Sequence, residues 1–145
     1  RNLGLAYFHV AKQKQSGRDF ELAYDLLSHV PHTEQDAPVQ AALGYMLLGT
    51  GHAPQAVPFF ERAVKAVPAS PEYWLDLGVA QNAAGDPAAG IQSLRKSIQN
   101  GRYDYRPYEA LSRLYAGRNQ PALGKSVLGD FLKLVPQSLT MRLMP

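Results

Sequence analysis

The chain repeats a pattern with a period of about 34 residues: Leu43-Gly44, Leu77-Gly78 and Leu111-Ser112 keep one spacing, and so do Phe60, Leu94 and Leu128. Ala56, Gly90 and Gly124 fall on the same beat, as do Gly17, Gly51, Gly85 and Asn119. A fixed period of this length belongs to stacked repeats, in which no unit buries its apolar face alone and each covers it against its neighbours. The 145 residues hold about four such units.

Each period reads as a helical hairpin. Ser70 before Pro71 and Glu72 is an N-cap with proline in the first turn. Trp74, Leu77, Gly78 and Gln81 then share one helical face, with Trp74 expected as a mostly buried anchor. Gly85-Asp86-Pro87 closes that helix and opens the next, whose stripe is Ile91, Leu94 and Ile98. Upstream, Gln40, Leu43, Gly44 and Leu47 precede the turn at Gly49-Thr50-Gly51, followed by Ala56, Phe60, Ala63 and Val67 and then Pro68. Downstream, Tyr108, Leu111, Ser112 and Tyr115 precede a turn ending at Pro121, with Gly124, Leu128, Phe131 and Val135 after it and Pro136 closing. Gly44, Gly78 and Ser112 are expected to face Ala56, Gly90 and Gly124, where only short side chains let two helices approach. Pro58 lies past the first turn of its helix, removes one backbone bond and predicts a slight bend. In the first unit Tyr7, Val10 and Ala11 fit the inner helix and Ala23, Leu27 and Val30 the outer one, with Gly17 as the turn. The step from Val10 to Leu43 falls one position short of the period, which leaves the register there open by one.

At these residues the chain resembles the tetratricopeptide repeat (TPR) family. The small-residue pairs, the aromatic at Trp74 or Tyr108, the turn glycines and the closing prolines Pro68 and Pro136 carry the resemblance, closely over 37–138 and more loosely over 4–36. It implies an all-α, right-handed α-solenoid of about four helix-turn-helix hairpins. The expected repeat domain is 1–138, with units of about 4–36, 37–70, 71–104 and 105–138, and 139–145 is read as a tail at a cut point from a larger protein. The family resemblance also implies inner-helix residues that line a groove for a protein or peptide.

Composition narrows the function classes. Hydrophobic residues make up 46%, enough for a core. The net charge is +3, yet no run of like charge appears, which argues against nucleic acid. Tyr103, Tyr105 and Tyr108, interleaved with Arg102 and Arg106, form the one segment able to mimic a base-stacking surface, but Tyr108 occupies the repeat's aromatic core position and no basic stripe accompanies it. With no cysteine, disulfides, thiol nucleophiles and thiolate metal sites are excluded, and the compartment is left open. No apolar stretch reaches the roughly 20 residues of a membrane span. His9, His29, His32 and His52 do not supply the ligand set zinc needs. Gly49-Thr50-Gly51 lacks the lysine and preceding strand of a phosphate loop. No Ser-His-acid arrangement emerges, so neither catalysis nor a cofactor is expected.

The expected working surface is the inner wall. Helical offsets assign Tyr45 and Leu48 to it from the second unit, Glu72, Leu75, Asp76, Val79 and Asn82 from the third, and Arg106, Glu109 and Arg113 from the fourth. Ala41 and Ala42 share the offsets of Tyr45. The terminal-carboxylate clamp of chaperone-binding family members is not matched, since only Arg106 fits its pattern. The reading is a non-catalytic scaffold that binds a protein segment in this groove. The alternative is a structural or assembly segment that docks through its C-terminal edge on another domain or on itself; there Val127, Leu128, Phe131, Leu132 and Val135 are followed by apolar Leu139, Met141, Leu143 and Met144 that fold back or join a second copy.

Overall fold

The computed structural model describes residues 1–134, and eight helices run through them: α1 (Asn2–Lys14), α2 (Gly17–Ser28), α3 (Ala37–Gly49), α4 (Ala53–Ala66), α5 (Pro71–Ala83), α6 (Pro87–Asn100), α7 (Tyr105–Gly117) and α8 (Pro121–Leu132). No strand occurs among the described residues. The helices pair as hairpins and group into two compact units, one from Arg1 to Pro68 and one from Ala69 onward. Val135, Pro136, Leu139, Met141, Leu143 and Met144, which figure in the sequence reading, lie outside the described residues.

Local chemistry sets the helix ends. Ser70 Oγ accepts from the Tyr73 amide at 3.3 Å, and Asp86 Oδ1 accepts from the Ala89 amide at 3.2 Å, as the sequence predicted. Asp104, one period after Ser70, caps α7 by accepting from the Arg106 amide at 3.0 Å. The turns inside the later hairpins each need one left-handed residue, and Gly51 (φ 81°), Gly85 (φ 92°) and Asn119 (φ 59°) supply it on the repeat's beat. The first hairpin departs. Its left-handed residue is Gln15 (φ 52°), while Gly17 is already the first residue of α2, because Ser16 caps that helix early through the Asp19 amide. α4 continues through Pro58 without interruption.

Within each hairpin the small residues are where the helices meet. A Cβ on Gly78 would stand 2.8 Å from Leu94 Cγ and 3.0 Å from the Gly90 carbonyl oxygen, and one on Gly90 would stand 3.0 Å from the Gly78 carbonyl oxygen. Gly124 lies as close to Ser112, whose carbonyl oxygen would be 2.8 Å from an added Cβ. Gly44 differs from expectation: the Phe60 ring, at 3.0 Å, rather than Ala56 fills the space above it. Ala11 and Ala23, both fully buried, hold the equivalent positions in the first hairpin. The spacing of these pairs settles the first register. Every pair has the same separation along the chain, but the step from Ala23 to Gly44 is one residue shorter than the steps from Ala56 to Gly78 and from Gly90 to Ser112. The missing residue thus lies between hairpins, where α2 stops at Ser28 before Pro31 and an irregular segment through His32 (φ 61°) replaces a last helical turn.

The cores follow from a second layer of packing. In the first unit Phe8, Ala23, Leu27, Val39, Ala42, Leu43 and Met46 are enclosed together. In the second, Leu75, Leu94, Tyr108, Leu111, Leu114, Tyr115, Val127 and Phe131 are. A fully buried side chain of this size contributes roughly 1.5–3 kcal/mol. In both units the second hairpin's first helix rests on both helices of the first hairpin. That requires the inner helix to be apolar on two sides, and it corrects several expectations. Phe8, not Tyr7 or Val10, is the buried aromatic of α1. Leu75 is buried under α7 instead of Trp74, which is only half-buried with the Lys96 ammonium 5.1 Å over its ring.

Candidate functional site

Of the residues assigned to the inner wall, the second unit brings three to one place. Val79 and Asn82 on α5 and Arg113 on α7 line a hollow of about 250 Å³ whose other walls are Gly78, Leu94, Ala110 and Leu114. Gly78 and Ala110, with little or no side chain, are the smallest of its lining residues. Leu94 and Leu114 are buried and make its base apolar, while Val79 is 40% exposed at its edge. Binding sites for whole small molecules span about 300–1,000 Å³. A hollow of this size suits one or two inserted side chains.

Charges on the same two helices are paired within the unit. Arg113 Nη2 lies 2.6 Å from Glu109 Oε1, one helical turn away on α7. Arg106 donates to Glu72 Oε2 at 2.9 Å and to Asp104 Oδ2 at 2.7 Å. Glu72 and Arg106 occupy the same position in successive repeats, so one register position carries an ion pair from α5 to α7. Hydrogen bonds from Arg106 hold the Asp104 carboxyl below the ordinary carboxylate range, and the bonds to Asp104 and then Glu72 raise the guanidinium's pKa further. Asp76, also assigned to the wall, is half-buried on α5.

The remaining assignments divide. Leu75 is 8% exposed and packs in the core with Leu111 and Tyr108, so it is not a groove side chain. Ala41 and Ala42 are likewise buried. Tyr45 and Leu48 lie in the compact unit from Arg1 to Pro68, where both are half-buried. The Tyr45 ring stands edge-on to Phe8 at 5.5 Å with the Lys12 ammonium 4.7 Å above it, so much of this residue serves the core. Tyr108 is buried and donates to the Arg102 carbonyl at 2.8 Å, and Tyr105 packs on Phe131 at 5.3 Å, which leaves Tyr103 as the exposed ring of that cluster.

The first unit has a hollow the sequence reading missed. Phe20, Glu21 and Tyr24 of α2 and Met46, Leu47, Thr50 and His52 from the end of α3 and its turn enclose about 380 Å³. Its signal was present in Phe20 and Tyr24, which lie beside the Ala23–Leu27 stripe and turn toward α3. Among the described residues no three His, Asp or Glu side chains gather as a metal site, and no helix is long and apolar enough to cross a membrane.

Neither the sequence profiles of known protein families nor the curated proteins match this chain. Solved structures do. A crystal structure of MamA superposes with a TM-score of 0.77 at 17% identity, covering 90% of this chain and 75% of that one. The fold is a TPR-like helical repeat. MamA from residue 41 to its end, from Desulfovibrio magneticus RS-1, gives 0.71 at 17% identity over 92% of this chain and 72% of that one. A MamA point mutant gives 0.62 at 21% identity over 93% and 94%. At these identities the likeness concerns the fold.

Proposed function

We propose that this protein is a non-catalytic interaction module whose second unit binds a protein segment, taking an apolar side chain of that segment into the hollow between α5 and α7. Val79, Asn82 and Arg113, assigned to the inner wall by helical offsets, meet around one apolar-floored hollow, and that observation carries this reading. The charge pairing on α5 and α7 supports it. With Arg113 beside Glu109, and Arg106 held by Glu72 and Asp104, little unpaired charge is left to attract an anionic polymer or a terminal carboxylate. The partner that fits is a helix or extended segment with an apolar anchor, a mixed charge pattern and an amide or carbonyl within reach of Asn82. Interfaces of this kind concentrate their energy in a few central side chains.

A displayed random-peptide library panned on the intact protein supplies the probe. Val79→Asp should weaken the selected peptide by about tenfold or more, equivalent to ~1.4 kcal/mol. Because Val79 is exposed, the helical spectrum and melting point should stay near wild type. Undiminished binding by a folded Val79→Asp protein would remove the hollow as the site.

A further inference from the structure

The hollow between α2 and the end of α3 offers a ligand aromatic rings and hydrogen-bond acceptors. Phe20 and Tyr24, one turn apart on α2, line it together with Met46 and Leu47 of α3. The Phe20 ring stands 6.1 Å from both the Phe8 and the Tyr45 rings, which hold it in place. Past the end of α3, Thr50 Oγ1 lies 3.0 Å from the Met46 carbonyl oxygen and 3.0 Å from His52 Nδ1. A hydroxyl has one hydrogen to give. Both contacts are satisfied together when that hydrogen goes to the carbonyl and the imidazole donates from Nδ1, which leaves Nε2 of the neutral ring as an acceptor. Glu21 lines the same hollow and takes part in no ion pair among the described residues. No lysine or arginine lines it, and α2 carries Arg18 against Asp19, Glu21 and Asp25.

We infer that this hollow binds a small organic ammonium ion with an apolar, ring-sized body. Aromatic rings attract a cation through their electron-rich faces, and Glu21 and His52 Nε2 accept hydrogen bonds from its N–H groups. Met46 and Leu47 give the rest of the ligand an apolar bed. The volume of about 380 Å³ lies within the roughly 300–1,000 Å³ of sites for whole small molecules, whereas the hollow between α5 and α7 falls below it. An anion would meet a carboxylate and ring faces here, and a neutral ligand of the same shape forfeits the attraction of both. The site uses residues of the unit from Arg1 to Pro68 alone and does not rest on the proposed peptide site.

Phenethylammonium is the probe, with phenethyl alcohol and hydrocinnamate as its neutral and anionic counterparts. Titrated into the intact protein carrying methyl-labelled methionine, the amine should shift the Met46 methyl signal saturably, that signal being assigned by its loss in Met46→Leu. The alcohol should bind more weakly and the carboxylate should leave the signal unmoved. Glu21→Gln, at an exposed position, should keep the melting point near wild type, weaken the amine about threefold or more and leave the alcohol unchanged. A short peptide with one lysine and blocked ends separates a free amine from a basic side chain of a protein, and it should bind more weakly than the amine. No saturable shift of Met46, equal binding of amine and alcohol, tighter binding of the lysine peptide, or an unchanged amine affinity in Glu21→Gln would overturn the inference.

Discussion

Gly78→Leu should destabilise the protein by about 3 kcal/mol or more and lower its melting point by on the order of 10 °C. Helix propensity alone predicts the opposite sign, since glycine in a helix interior costs about 1 kcal/mol against alanine. The geometry overrides it. An added Cβ would lie 2.8 Å from Leu94 Cγ, a branch atom that is itself buried, and 3.0 Å from the Gly90 carbonyl oxygen, which is helix backbone. Neither can swing aside, so even Gly78→Ala should lose stability, and the longer side chain should force α5 and α6 apart. Thermal unfolding followed by circular dichroism measures both. A Gly78→Ala protein more stable than wild type would show that the two backbones do not meet as described.

Phe131→Ala should cost about 3–5 kcal/mol, the range for deleting a fully buried aromatic side chain. Phe131 is inaccessible to solvent and lies 5.3 Å and 5.0 Å from the rings of Tyr105 and Tyr108, so it ties α8 to α7 from inside the second unit's core. Its neighbour Leu132 provides the control, because it points outward and its replacement by alanine should change stability by less than about 0.5 kcal/mol. Denaturant unfolding of the two variants separates these outcomes. Equal losses would contradict the assigned face of α8.

Much of this was legible in the chain because repeat folds write their contacts at fixed intervals. The small pairs at Gly78–Gly90 and Ser112–Gly124, the caps at Ser70 and Asp86 and the left-handed turns at Gly51, Gly85 and Asn119 all follow from spacing and residue type. What spacing could not say is how many sides of a helix are covered. Trp74 and Leu75 are both large and apolar, and a single-stripe reading assigns the first to the core and the second to the groove. Stacking of hairpins reverses them, since the side of α5 that carries Leu75 is the one α7 rests on. Phe8 was the clue: it occupies the same position two repeats earlier and is buried in the same way.

The first hairpin was harder for a different reason. Its chain shortens by one residue, but the loss falls in the connection to α3 and not inside the hairpin, so the Ala11–Ala23 spacing is intact while the glycine beat at Gly17 misleads. At the candidate site the rim residues Val79, Asn82 and Arg113 were readable from helical offsets. The hollow itself was not, because its lining comes from α5, α6 and α7 together, and offsets along one helix do not say how three helices pack. The ion pairs on these helices depend on side-chain reach, by which Arg106 meets the two carboxylates at Glu72 and Asp104.

The central claim is that the α5–α7 hollow receives a side chain of a protein partner. Methyl-detected nuclear magnetic resonance tests it directly, because Val79, Leu94 and Leu114 place their methyl groups around the hollow. Titration with a library-selected peptide should shift those three residues' methyl signals together and saturably, at the same midpoint as binding measured by anisotropy. Saturable binding whose methyl shifts fall on other residues, with Val79, Leu94 and Leu114 unmoved, would contradict it.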